Sequence, residues 1–454
     1  MKSQRNIANK IRSFYVLRDI FKNISIKKKL QITKYNNNIK DKLDIDINDY
    51  KKYSQIEIEI KTNHSFGQFI NYQQNINDKY FHIYFNDDKE EVKRNYFCDD
   101  EKVKTIKIII DYQIVSFENL FYNCRCIESI SFKNFQRNNI NNMNSMFDCC
   151  SLKQLNINKF NTENVTDMSH MFSRCYRIES LNLNNFNTEN VEDMSSMFQK
   201  CSNLKKLFIN KFNTKNVKYM NNMFYGCEIL KELNINNFDT HNVTNMKQMF
   251  CKCKSLNKLN IDNFNTENVK NMSLMFSYCS SIEELNINSF NTKNVTDMCF
   301  MFYECSLIKK IHMQNFNTEN VTNMENMFSG CKFKELNLDN FNTKNVTNMQ
   351  CMFFGCSLLK KLNLSNFNTK NVTNMSCMFY DCISLKELNI INFNFKNTLE
   401  TCFMFKGCIA LAGLEANFIN IVDANTYGMF AGCDENLIYH IQLNYLFNEY
   451  SFDI

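Results

Sequence analysis

The chain has 454 residues, 44% hydrophobic and 22% charged, with 42 Phe and 24 Met but no Pro or Trp, a balance that belongs to folded proteins and excludes a disordered one. No run of about 18 apolar residues occurs, so no transmembrane helix is expected. The net charge of +6 is unevenly placed: residues 1–34 hold ten Lys or Arg against Asp19 alone.

Residues 1–55 read as a basic helical subdomain. Phe14, Leu17, Ile20 and Phe21, then Leu30, Ile32, Tyr35, Ile39 and Leu43, fall mostly at three- and four-residue steps, the spacing of short amphipathic helices. A basic segment over residues 1–34 could contact nucleic acid or anionic lipid, although a solvated helix face has the same composition. The opening Met1-Lys2-Ser3-Gln4-Arg5 carries no secretory apolar stretch, and the expectation is a cytoplasmic protein. The short helix through Leu17, Ile20 and Phe21, the break near Asn23 and the second helix through Leu30 resemble an F-box. That resemblance implies docking of a ubiquitin-ligase subunit by Phe14, Leu17, Ile20 and Phe21, but the chain lacks the Leu-Pro opening and the Trp of that pattern.

Residues 56–108 change to period two. Ile56-Glu57-Ile58-Glu59-Ile60 alternates apolar and acidic residues, and Phe81, Ile83, Phe85 and Ile106, Ile108, Ile110 keep the same step, which predicts half-buried strands. A β-rich N-terminal cap over the first unit of a repeat array is the reading.

From 109 to 433 the chain repeats itself. A leading Phe recurs at Phe135, Phe160, Phe186, Phe212, Phe238, Phe264, Phe290, Phe316, Phe341, Phe367 and Phe393, a step of 26 that shortens to 25 at the first interval and between Phe316 and Phe341. Counted by the cysteine column from Cys124 to Cys433 there are thirteen units. Leu181 and Leu183 alternate with Asn182 and Asn184, a strand with one apolar face; Met168, Met171, Phe172 and Cys175 follow at steps of three, one and three, which predicts an inward-facing helical turn. Each unit is thus expected to be a strand, a corner and a short helix, stacked into an α/β solenoid with one parallel sheet and capped at its C-terminus by residues 434–454.

The columns carry structural readings before chemical ones. Stacked Met could bind a soft metal, but Met at helix spacing beside Phe is a core filler. Twenty-one Cys, an odd number spread evenly, suggest free thiols, and in-register side chains point alike rather than toward one another. Cys124-Arg125-Cys126 and Cys251-Lys252-Cys253 have too few ligands around them for zinc. Corner residues Asn164, Asn190 and Asn216 can accept a left-handed backbone and are expected to form a ladder of amides between units; Asn164-Val165-Thr166 also matches a glycosylation acceptor, taken as a by-product of the corner. Lys206, Glu232, Lys258, Glu284, Lys310, Glu335, Lys361 and Glu387 alternate in sign over eight successive units, which predicts a charge ladder along the stack.

The consensus LxxLxLxxFNTxNVTxMxxMFxxC closely resembles the BspA-type leucine-rich repeats also found in mycoplasma surface lipoproteins. The resemblance covers about residues 109 to 433 and implies a leucine-rich-repeat solenoid; surface adhesion, common in its bacterial members, would need a signal or lipidation cysteine that the start of this sequence does not show. His64, His82, His170, His241, His312 and His440 are scattered, and only eight Gly are present with no phosphate-binding loop, so no catalytic constellation, cofactor or metal is expected. The expected function is a non-enzymatic scaffold for an unidentified protein partner, with an F-box-like ubiquitin-ligase adaptor and a BspA-type adhesin as alternatives. The candidate binding face is the outward strand row Asn182, Phe208, Asn234, Asn260, Asn286, His312, Asn337 and Asn363, where Phe208 and His312 interrupt the Asn.

Overall fold

The computed structural model describes residues 14–452 apart from residues 23, 25, 35–36, 64, 72–79, 112–113, 136–138, 422, 446 and 448. Four short helices come first: α1 (Phe14–Lys22), α2 (Ile26–Thr33), α3 (Asn37–Lys42) and α4 (Ile47–Ser54). Asp46 caps α4 by accepting the N–H groups of Asn48 and Asp49, and the Asp49 carboxylate accepts the N–H of Asp46 in return. Leu17, Phe21 and Ile39 form a small core of their own, with Ile24, Ile32 and Leu43 packed against it.

Strands β1 (Ile56–Thr62), β2 (Gly67–Gln68), β3 (Phe81–Phe85), β4 (Tyr96–Phe97), β5 (Thr105–Ile110), β6 (Ile127–Asn134) and β7 (Gln154–Asn156) follow, and five of them make a sheet in the order β3-β5-β1-β6-β7. The Ile–Glu alternation of β1 places Ile56, Ile58 and Ile60 in the core. β1 runs antiparallel to β5, with Ile58 opposite Ile108, and antiparallel to β6, with Ile58 opposite Phe132. The other edge of β6 pairs in parallel with β7, Ile130 beside Leu155. One strand therefore joins an antiparallel sheet to the parallel stack, and the first rung has no open edge on that side.

Beyond β7 a strand of two to four residues recurs in most rungs: β8 (Ser180–Asn182), β9 (Lys206–Phe208), β10 (Glu232–Leu233), β11 (Lys258–Leu259), β12 (Glu284–Asn286), β13 (Lys310–His312), β14 (Lys361–Asn363), β15 (Glu387–Ile390) and β16 (Gly413–Ala416). Pairing is parallel and in register, as in Leu285 beside Ile311 and Leu362 beside Leu388. On this side the sheet is broken into groups of two and three strands. On the other side a second ladder, one bridge per rung, runs unbroken from Ser116–Asn142 to Glu400–Asn425. The leucine-rich-repeat stack anticipated from the sequence is what the chain forms.

The short helices anticipated on the far side are replaced by linked turns. The N–H groups of Met171, Ser173 and Cys175 close turns onto the carbonyls of Met168, His170 and Phe172 at 3.3, 3.0 and 3.2 Å. The intervening N–H groups of His170 and Phe172 donate to Ser195 and Met197 of the next rung, both at 2.9 Å. A helix would direct every interior N–H to its own carbonyls and leave none for the neighbour; here half of them join the rungs. The cost is backbone strain, because two residues per rung adopt φ near +55°, for example His170 and Arg174 at 56° each. These left-handed positions lie in the turns, not at the corner Asn where the sequence reading allowed for them. In the second of them Gly226, Gly330, Gly355, Gly407 and Gly432 replace the side chain, with φ between 66° and 77°.

Inside the rungs the repeated residues form continuous columns. Val217, Met220, Met223, Phe224 and Cys227 are all 0% exposed, as are Val191, Met194, Met197, Phe198 and Cys201 in the preceding rung. The Phe rings stack with centroids 5.8 Å apart for Phe172–Phe198, 5.7 Å for Phe198–Phe224 and 5.6 Å for Phe250–Phe276. Burying each such side chain contributes about 1.5–3 kcal/mol, and each column exists only between neighbours, so stability resides in the interfaces between rungs. At the C-terminal end α5 (Glu435–Asn444) is capped by Asp434 and buries Leu437 and Ile441. The N–H groups of Gly428 and Phe430 donate to Tyr450 and Ser451 at 2.7 and 2.9 Å, and Phe452 stacks on Phe430 at 5.7 Å, so the tail continues the turn-side hydrogen bonds and the Phe stack past the last rung.

Candidate interaction surface

A rung side chain is available for recognition only if the stack does not use it. The corner Thr is used twice: Thr188 Oγ1 donates to the Asn213 carbonyl at 2.9 Å and accepts the Asn213 N–H at 2.7 Å, and Thr240 does the same with Asn265 at 2.8 Å each. The corner Asn forms the anticipated ladder, Asn190 Nδ2 donating to Glu163 O, Asn216 to Glu189 O and Asn242 to Lys215 O, each at 2.7 Å. The cysteine column has a role that the sequence did not disclose. From Cys150 to Cys433 each column thiol donates to the Phe carbonyl of the preceding rung, for example Cys175 to Phe147 and Cys201 to Phe172 at 3.1 Å. Burial pushes the Cys201 and Cys305 thiols up to about 12. All 21 Cys are free, and apart from exposed Cys98 and half-buried Cys149, Cys299, Cys351, Cys377 and Cys402 they are buried.

The charge ladder is present as discrete pairs. Glu232 meets Lys258 one rung on, Glu284 lies 3.9 Å from Lys310, and Lys361 lies 2.7 Å from Glu387. Parallel rows repeat the device, with Glu179–Lys205 and Glu189–Lys215 at 2.8 Å and Glu267–Lys293 at 2.9 Å. All of these pairs are exposed, so each adds little to stability. Asp148 and Arg174 differ: Nε and Nη2 bind the two carboxylate oxygens at 3.0 and 2.6 Å while the Asp148 side chain is 3% exposed. That bidentate contact holds the guanidinium well above its ordinary pKa.

The strand row falls where the sequence placed it. Asn182, Asn234, Asn260, Asn286, Asn337 and Asn363 are exposed, Phe208 is 44% exposed, and His312 is half-buried. The Asn are nevertheless not idle. Asn182 Oδ1 accepts the Asn184 N–H at 3.1 Å, and Asn260, Asn286, Asn337 and Asn363 accept the N–H two residues on at 3.0, 3.2, 2.8 and 3.1 Å. Each closes the turn that ends its strand. Phe208 has no such oxygen, and His312 instead directs Nε2 to Glu284 at 2.7 Å. The two exceptions in the row are therefore also the two residues released from the Asn turn.

The row is interrupted once more, at the 25-residue unit. Between Cys331 and Leu338 one residue is missing, and Phe333, two positions after the cysteine, fills the core space that Ile308 and Leu359 fill from three. Among the described residues this is the rung between β8 and β16 that forms no strand, and the N–H groups of Lys332 to Asn337 make no backbone hydrogen bond. A notch of about 920 Å³ opens there, with Ile311 and Leu336 only partly buried at its floor. A second groove, about 890 Å³, lies between the last strands and α5, bordered by Glu387, Glu415, Asp434 and His440.

The N-terminal set divides. Leu17 and Phe21 are buried in the helical core, Ile20 is 46% exposed, and the side chain of Phe14 lies outside the described residues. Two of the four thus face inward and cannot join an exposed docking face. Of the basic stretch 1–34, residues 1–13 are outside the described part, as is His64. The described His do not gather: His82 lies 2.9 Å from Glu91, His241 2.7 Å from Asp239 and His440 3.3 Å from Asn444, while His170 stands in the turns. Among the described residues, Cys98, Asp100 and Glu101 gather close enough to hold a metal, but Arg94 already engages both Glu101 oxygens.

A family profile described as "Mycoplasma protein of unknown function, DUF285" matches residues 115–233, 206–311, 229–338 and 307–418. The chain belongs to this family. The matched span lies within the array whose consensus resembles BspA-type repeats, and the chain is a leucine-rich-repeat protein of that type. Comparison with curated proteins finds no match. Among solved structures, the chain is similar to a leucine-rich cell surface protein from Faecalibacterium prausnitzii at 15% identity and a TM-score of 0.35, covering 66% of this chain and 76% of that one. It is also similar to the receptor chain of a TLR13–ssRNA13 complex at 14% identity and a TM-score of 0.23, covering 64% of this chain and 45% of that one.

Proposed function

We propose that the chain is a non-enzymatic scaffold that holds a protein partner on the strand face of its solenoid. The observation that carries this reading is Phe208, a large aromatic side chain left 44% exposed in the middle of a polar row. Exposed aromatics with polar surroundings are the residues that anchor protein interfaces. The repeated Thr, corner Asn, Met, Phe and Cys are consumed by the stack, so specificity falls to outward positions that vary from rung to rung. The test is affinity capture with the full chain and with a Phe208→Ser, His312→Ala variant, read by mass spectrometry. A partner recovered with the native chain and lost with the variant supports the reading. Equal recovery of the same proteins by both chains rejects the strand face as the binding surface.

A further inference from the structure

The scaffold reading leaves the partner's chemistry open, and the charge pattern around the short rung narrows it. The position preceding each strand reads Glu179, Lys205, Lys231, Asn257, Glu283 and Lys309, and its two acidic residues pair one rung on, Glu179–Lys205 at 2.8 Å and Glu283–Lys309 at 2.6 Å. From Lys309 onward the same position reads Lys334, Lys360 and Lys386, with no acidic residue between them. Their register is set by the backbone, since the Lys386 N–H donates to the Lys360 carbonyl at 2.8 Å. All three are exposed, and among the described residues none has an acidic partner. Neighbouring like charges one rung apart are unfavourable, and here three such lysines follow one another.

The uncompensated lysines begin at the notch. Lys334 lines it together with Lys309, Lys310 and Lys361 and with the carboxylates of Glu335 and Asp339, while Ile311 and Leu336 give it an apolar floor. The ladder also fails here: Glu335 stands between Lys310 and Lys361, but those lysines pair with Glu284 and Glu387 instead. The local N–H groups of Lys334 to Asn337, which make no backbone bond, add donors to the same wall. Because Lys309, Lys310 and Lys361 are engaged by Glu283, Glu284 and Glu387, the notch itself suits an apolar side chain, and Lys334, Lys360 and Lys386 suit carboxylates carried beside it. A single-stranded nucleic acid would call for aromatic platforms, and no Phe or Tyr lines the notch.

We propose that the strand face from Lys309 to Lys386 docks an acidic peptide segment of a partner protein, with carboxylates on Lys334, Lys360 and Lys386 and an apolar side chain in the notch over Ile311 and Leu336. The proposal rests on the scaffold reading and names the class of partner. It is tested by fluorescence anisotropy with the full chain and a labelled peptide of alternating Glu and Leu. The controls are its Gln-for-Glu analogue and a labelled oligouridylate. Saturable binding of the acidic peptide is expected, weakened by added salt and about tenfold weaker in the Lys334→Gln, Lys360→Gln, Lys386→Gln variant, whose exposed substitutions leave the melting temperature in place. Leu336→Ala should weaken binding of the peptide without altering its salt dependence. Equal binding by the triple variant, or equal binding of the Gln analogue, overturns the proposal, as does oligouridylate binding more tightly than the peptide. Because the capture experiment turns on Phe208 and His312, a chain that still captures its partner but fails the peptide test loses only the acidic-peptide assignment.

Discussion

The turn side and the strand side of the solenoid are built from the same repeat and behave differently. On the turn side every rung supplies the same bonds, and the bridge ladder from Ser116 to Asn425 is unbroken. On the strand side the sheet comes in groups of two and three strands, one rung forms no strand, and half-buried Leu259, Ile311 and Leu336 stand where other rungs bury their Leu. The lesson is that repetition marks the side that holds the molecule together. The less regular side is free to differ from rung to rung, and it carries Phe208, His312, the notch and the unpaired lysines.

That contrast can be broken by substitution, and the largest effect belongs to the turn-side core. Phe250 stacks between Phe224 at 5.7 Å and Phe276 at 5.6 Å, so Phe250→Ala should cost about 3–5 kcal/mol in denaturant unfolding. A loss no larger than that of Leu259→Ala, on the strand side, would erase the distinction. Arg174→Met leaves the Asp148 carboxylate buried without its partner; a cost of about 2 kcal/mol is expected, below the usual range for a buried pair because Arg174 is 38% exposed. Thr240→Val removes both bonds to Asn265 and should cost about 1–3 kcal/mol by the same unfolding assay. Glu284→Lys places like charge beside Lys310 and takes the carboxylate from His312. Its effect should be the smallest of the four, seen as a lowered melting temperature at low salt and absent at high salt. An unchanged melting temperature at low salt would show that the exposed ladder contributes nothing.

Much of this fold could be read from the sequence because the period was long and strict. The alternation at Leu181–Asn184 placed a strand, and the Met168, Met171, Phe172 and Cys175 columns correctly pointed inward. The same spacing misassigned the local structure, since steps of three, one and three suit two linked turns as well as a helix turn. Which of them forms depends on whether the N–H groups bond within the rung or to the next one, a tertiary choice absent from any single repeat. The glycines were the available signal: Gly226, Gly330, Gly355, Gly407 and Gly432 each directly precede a column Cys, and all have positive φ. For the candidate site, the outward row and its exceptions Phe208 and His312 were legible. The turn-closing role of Asn182 and its counterparts was not, because a period-two pattern gives direction but not hydrogen bonds. The 25-residue interval was visible as a number; that it opens a notch at Leu336 follows only from the way Phe333 repacks the core.

The central claim, that recognition belongs to the strand side and cohesion to the turn side, is tested most directly by amide hydrogen exchange of the full chain, alone and with its captured partner. Alone, the amides of Lys334 to Asn337 should exchange fast while those of Asn326, Phe328 and Gly330, bonded to the next rung, stay protected. With the partner bound, new protection should appear at Lys334 to Asn337 and along the strands near Phe208 and His312. New protection confined to the turns of Met168 to Cys175 and their counterparts, with the strand side unchanged, would contradict the account.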